Sequence, residues 1–160
     1  MVRKNSILFW LLVSLMFCGM GGKCFADAAA LFEQAEEYEE DANYAAAEAV
    51  YKQIVADFRG TDDGLKVQER LTCLYIVWEK KTKAEAAYQE MLSKYGEHEG
   101  LAKAVDHVAD SYREAKKYEK ARELYQYVVD TWPYADHTVG SHRGVVQTSI
   151  ALGVCPSNRL

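Results

Sequence analysis

Between residues 28 and 152, apolar and small side chains recur at steps of three and four, the spacing that lines one face of an α-helix. From Ala28 to Glu40 that face is Leu31, Ala35 and Tyr38; from Tyr44 to Phe58 it is Ala47, Tyr51, Ile54, Val55 and Phe58. Asp41, Ala42 and Asn43 lie between them, and Asp and Asn suit a tight helix–helix turn. The paired pattern returns twice, with breaks near Lys80–Lys83 and Ala115–Lys117. The spacing predicts three helical hairpins, at about 28–60, 64–97 and 101–134, and a further helix at about 137–152.

The hairpins read as copies of one unit. Ala47, Ala84 and Ala121 stand at intervals of 37 residues, each followed four positions on by Tyr51, Tyr88 and Tyr125. Tyr38, Tyr75 and Tyr112 keep the same interval, as do the aromatics Phe58, Tyr95 and Trp132. Ala35, Thr72 and Ala109 are all small; Ile54, Met91 and Val128 are all apolar. Leu31 and Val105 agree, and Gln68 breaks their column. A period of this length marks a stacked array, in which each two-helix unit buries its faces against its neighbours. The competing reading is a plain helical bundle with an accidental pattern. The small residues would let helices cross closely, and the tyrosine rows read as core. Gly60 and Gly96 are placed for left-handed C-caps, Asp62 and Asp63 for N-caps, and Pro133 to stop a helix.

These residues resemble the tetratricopeptide repeat, whose pattern sets an apolar, a small and an aromatic residue in the first helix. An Ala, an aromatic four later and a closing Pro follow in the second. Residues 101–134 fit best, through Val105, Val108, Ala109, Tyr112, Ala121, Tyr125, Val128 and Pro133. The second copy is weakest, with Gln68 and Thr72 at apolar and small positions, and the interval of 37 exceeds the family's 34. The long period is similar to repeats of bacterial envelope proteins, among them outer-membrane assembly lipoproteins. The resemblance implies an all-α, right-handed superhelical α-solenoid of three repeats, about 27–154 with the capping helix. It also implies a protein or peptide partner of the cell envelope, held in a concave groove of first helices. The groove positions, one step off the core stripe, are Phe32, Glu36 and Glu39, then Lys66 and Glu69 (with Cys73), then Lys103, Asp106, Asp110 and Arg113. Phe32 is a large apolar side chain on an otherwise acidic face.

The first 26 residues differ in kind. Arg3 and Lys4 open them, Ile7 to Cys18 is an apolar run interrupted by Ser14, and Cys24-Phe25-Ala26 offers a cleavage site after Ala26. That is the form of a secretory leader, and it predicts export to the periplasm or beyond. A retained anchor is the alternative, although the run is short of the roughly 20 residues a span requires. Lipidation of Cys18 or Cys24 is a third, although neither follows a Leu-small-small sequence.

Loss of Arg3, Lys4 and Lys23 with the leader leaves 16 basic side chains against 24 acidic ones, a formal charge of −8. Such a balance argues against nucleic acid and against direct membrane binding after cleavage. No catalytic, cofactor or metal motif emerges. His98-Glu99 opens a zinc-protease sequence but Ala102 occupies the place of the second His, and His137 and His142 fall on different helical faces. Ser141 beside His142 lacks the spacing of a nucleophile elbow. Cys73 and Cys155 would sit on the order of 20 Å apart on helices spaced as in bundles, too far for a disulfide. At the C-terminal end, Val139, Val145, Val146 and Ile150 give the last helix apolar surface for a lid over the third repeat, weakened by Gly140, Gly144 and Gly153. A homo-oligomer built end to end is the alternative to an adapter, and 155–160 reads as tail.

Overall fold

The computed structural model describes residues 25–154. The expected leader lies outside the described residues apart from Phe25 and Ala26, as do Cys155 and the tail. Seven helices and no strand occur among the described residues: α1 (Phe25–Glu40), α2 (Tyr44–Asp57), α3 (Asp62–Val77), α4 (Lys81–Tyr95), α5 (Leu101–Glu114), α6 (Tyr118–Thr131) and α7 (Thr138–Ala151). Leu31 onward forms one compact unit; the other, Met1–Ala30, is almost wholly outside the described residues.

Every first helix ends in the same reversal. Asn43 N donates to Tyr38 O at 2.8 Å, Lys80 N to Tyr75 O at 2.9 Å, Lys117 N to Tyr112 O at 2.9 Å and Val154 N to Ser149 O at 3.0 Å. The residue before each donor has a left-handed φ: Ala42 56°, Glu79 57°, Lys116 59° and Gly153 68°. A six-residue bond closed over a left-handed residue is the Schellman termination. The second reversal therefore lies at 78–80, slightly ahead of the expected break.

Two cap expectations need correction. Gly60 is left-handed (φ 79°), but Gly96 is right-handed at φ −54°, because α4 runs on into a tight turn in which His98 N donates to Tyr95 O. The N-cap of α3 is Thr61, whose Oγ1 accepts from Gly64 N at 3.1 Å. Asp62 and Asp63 instead occupy the first turn, where carboxylates favour the positive end of the helix dipole.

Neighbouring helices pack pairwise, α2 on α3, α3 on α4, α5 on α6 and α6 on α7. The first helices also lie side by side, α3 against α5 and α5 against α7. Ala35, Thr72 and Ala109 are fully buried, and Tyr51, Tyr75, Tyr88, Tyr112 and Tyr125 belong to the same core. Gln68 and Thr72 are buried despite their polarity: Thr72 Oγ1 donates to Gln68 O at 2.8 Å, and Gln68 Nε2 donates to Ala87 O at 3.0 Å.

The two ends of the stack differ. Leu71 and Val108 are buried, and so is Leu74, whereas the matching positions of α1 carry exposed Gln34 and Glu37. At the other end, α7 turns inward Thr138, Ser141, Gly144, Thr148 and Ser149. Val139 is 72% exposed, Ile150 70% and Val146 44%. The lid thus presents small and polar groups to α6 and its larger apolar groups to solvent, the reverse of the expected arrangement for Val139, Val146 and Ile150; Val145 alone of that set is half-buried. Gly144 is a packing contact against Tyr125, and Gly153 lies beyond the helix in its terminating turn, so neither is a defect within α7.

Candidate protein-binding face

Helical spacing places a row of charged side chains on α1, α3 and α5, one step off the buried stripe, and the side-by-side packing of these helices brings the rows together. At the first crossing, Arg70 Nη2 lies 3.3 Å from Glu36 Oε1 and 3.7 Å from Glu39 Oε1. Glu39 also accepts the hydroxyl of Tyr51. Burial, reinforced by that carboxylate, pushes the Tyr51 phenol well above its ordinary pKa. Phe32 is half-buried against Tyr51, ring centroids 5.8 Å apart, and Lys66 Nζ sits 4.4 Å above its ring. This cation–π contact stabilises by about 0.5–1 kcal/mol at an exposed site.

At the second crossing, His107 Nδ1 and Glu69 Oε1 are 2.9 Å apart. The hydrogen bond to Glu69 raises the His107 pKa against the opposing effect of burial. A cleft of about 380 Å³ opens beside this pair, lined by Asp62, Lys66, Glu69, His98 and Lys103 among others. His98 Nε2 is 2.8 Å from Asp62 Oδ1, and its Nδ1 accepts from Gly100 N at 3.1 Å. At the third crossing, Ser141 donates to Asp106, whose carboxyl burial pushes upward and this hydrogen bond partly restores. Asp110 accepts from Arg113 Nη2 at 2.7 Å and from the Tyr125 hydroxyl at 2.6 Å.

Of the sequence-derived groove residues, Lys66, Glu69 and Lys103 share the cleft. Phe32 adjoins it through Lys66. Glu36 and Glu39 gather on Arg70, while Asp110 and Arg113 pair with each other and Asp106 turns to α7. Cys73 is half-buried and free, and burial lifts its thiol to about 12, so it stays protonated. Arg70 and His107 escaped the sequence reading. With Glu33 they form one column of the 37-residue register, and its change from acid to base to imidazole was the available signal.

Residues 104–133 match the family model described as Tetratricopeptide repeat. No curated protein matches the chain. Among solved structures, it is similar to two crystal structures of nearly identical TPR-like repeats from a Podosopora anserina protein named as a kinesin light chain, one of them a variant. Both are 17% identical and cover 91% of this chain and 76% of theirs, with TM-scores of 0.59 and 0.58. Residues 104–133 thus form a tetratricopeptide repeat, and the described helices as a whole take an all-α helical repeat fold of that type.

Proposed function

We propose that this chain is a non-catalytic scaffold that binds a segment of another protein of the cell envelope along its first helices. The observation that carries this reading is the cleft between α3 and α5. It sets Lys66 and Lys103 beside Asp62 and Glu69, with the Phe32 ring adjoining. Alternating charges over an apolar anchor suit a peptide with charges of both signs, and they set on-rate and specificity more than affinity. The envelope assignment rests on the leader-like residues 1–26.

A photo-crosslinking amino acid placed at Lys103, or at Gln89 on the exposed side of α4, tests the face in intact cells. Adducts to one discrete protein from position 103 and none from 89 support the reading; equal adducts from both sink it. Fractionation with N-terminal sequencing tests the compartment, the expected mature chain beginning at Asp27.

A second reading, self-association, is favoured by the outward Val139, Val146 and Ile150 of α7. Light scattering at tens of micromolar decides it, since a strict monomer removes it.

A further inference from the structure

We infer that the cleft between α2 and α4, floored by Gln68, binds a small amphiphilic anion that also carries one N–H or O–H donor. Gln68 is fully buried, and its Oε1 has no hydrogen-bond partner among the described residues. Its orientation is fixed, because the carbonyl of Ala87 only accepts and therefore takes the amide NH2 at 3.0 Å. A desolvated acceptor left bare costs about 1–3 kcal/mol. Repeat packing does not call for this residue, since the matching positions carry Leu31 and Val105.

Gln68 is one of the residues around a cleft of about 390 Å³, the size of a small-molecule site; its oxygen lies just beneath the cleft surface. Val55, Ala56, Leu71 and Ala87 supply apolar walls. The rim carries Lys52, Arg59, Lys83 and Lys94 against one lining acid, Glu90. Lys52 and Lys83 share the neighbouring Glu48, and Lys94 pairs with Glu90. Two carboxylates thus serve three of the four cations, and Arg59 has no ion pair among the described residues, in a chain of formal charge −5. The ligand's donor meets Gln68 Oε1, its apolar body meets the walls, and its anionic group meets Arg59 and Lys94. Water could satisfy the oxygen, but it would leave the apolar walls and the cationic excess without a role.

The probe is 8-anilinonaphthalene-1-sulfonate, which combines an N–H, an apolar ring system and a sulfonate. Titrated into the full chain, it is expected to shift the Gln68 side-chain NH2 resonances saturably with one-to-one stoichiometry. Gln68→Leu, which restores the apolar column, is expected to weaken binding about tenfold, the worth of one hydrogen bond. Gln68→Met serves if that variant does not fold, and the exposed Arg59→Glu is expected to weaken binding by a similar factor. N-phenyl-1-naphthylamine, which lacks only the sulfonate, should bind at least about tenfold more weakly. Fluorescence enhancement with unmoved Gln68 resonances, wild-type affinity in the Gln68 variants, or equal affinity for the neutral analogue would each overturn the assignment.

Discussion

Gly144 faces the ring of Tyr125 so closely that a Cβ at position 144 would stand 2.6 Å from Cε2 and Cζ. Tyr125 cannot give way easily: it is 2% exposed, and its hydroxyl is held by Asp110 and Arg113. Gly144→Ala, normally a gain of about 1 kcal/mol in a helix interior, is here expected to lose about 1–3 kcal/mol to overpacking. Gly140→Ala is the control, since its Cβ would meet only Asp106 Oδ2, at 3.8 Å. Thermal melts should move in opposite directions for the two variants.

The left-handed reversals predict a gain. A side chain in that conformation costs about 1–2 kcal/mol, part of which glycine returns as unfolded-state entropy. Glu79→Gly and Lys116→Gly are each expected to stabilise by about 0.5–1 kcal/mol. The sites belong to different hairpins, so the double variant should be close to additive in urea denaturation.

Glu48 is the buried charge of the second helices, accepting from Lys52 at 2.6 Å, from Lys83 at 2.8 Å and from Tyr75 at 2.9 Å. Burial opposes its ionisation, but these hydrogen bonds win and hold its pKa at about 2, below the ordinary 4.5. A depressed carboxyl stabilises above its unfolded pKa and loses that contribution as pH falls towards its folded pKa. Glu48→Gln should therefore cost about 1–3 kcal/mol at neutral pH, with Lys52 and Lys83 half-exposed and partly screened. The gap between variant and parent should narrow as pH falls from 4.5 towards 2.

His107 runs the other way. Its pKa is raised by Glu69, so the pair stabilises fully below the ordinary 6.5 and weakens as pH rises through the folded value. With His107 43% exposed, the effect is small, a few tenths of a kcal/mol. His107→Gln should flatten the slope of stability between pH 6 and 8; an unchanged slope would assign that slope to other groups.

The hairpins were legible because alanine and tyrosine mark buried crossings, and burial is what helical periodicity records. The reversals were less so. Ala42, Glu79 and Lys116 hold a glycine-favouring conformation without glycine, so only their backbone reveals the match to Gly153. Gln68 looked like a fault in its column, whereas the structure buries it with one end of its amide satisfied. Arg70 and His107 were missed because a charged column facing another helix looks, in one dimension, like a solvated face. The orientation of α7 differs for a related reason: valine and isoleucine suggest core, yet Tyr125 leaves no room for a side chain at Gly144, and the face of α7 that carries Gly144 is otherwise serine and threonine.

The unlike ends of the stack limit how copies of it could join. Gln34 and Glu37 would have to be stripped of water for a head-to-tail contact, whereas Val139, Val146 and Ile150 would not. Association through α7 would therefore be isologous, with two copies meeting about a twofold axis and covering the same residues on both. Among the described residues such a pair has no apolar end left to offer, so assembly through them would close at two rather than grow into a filament.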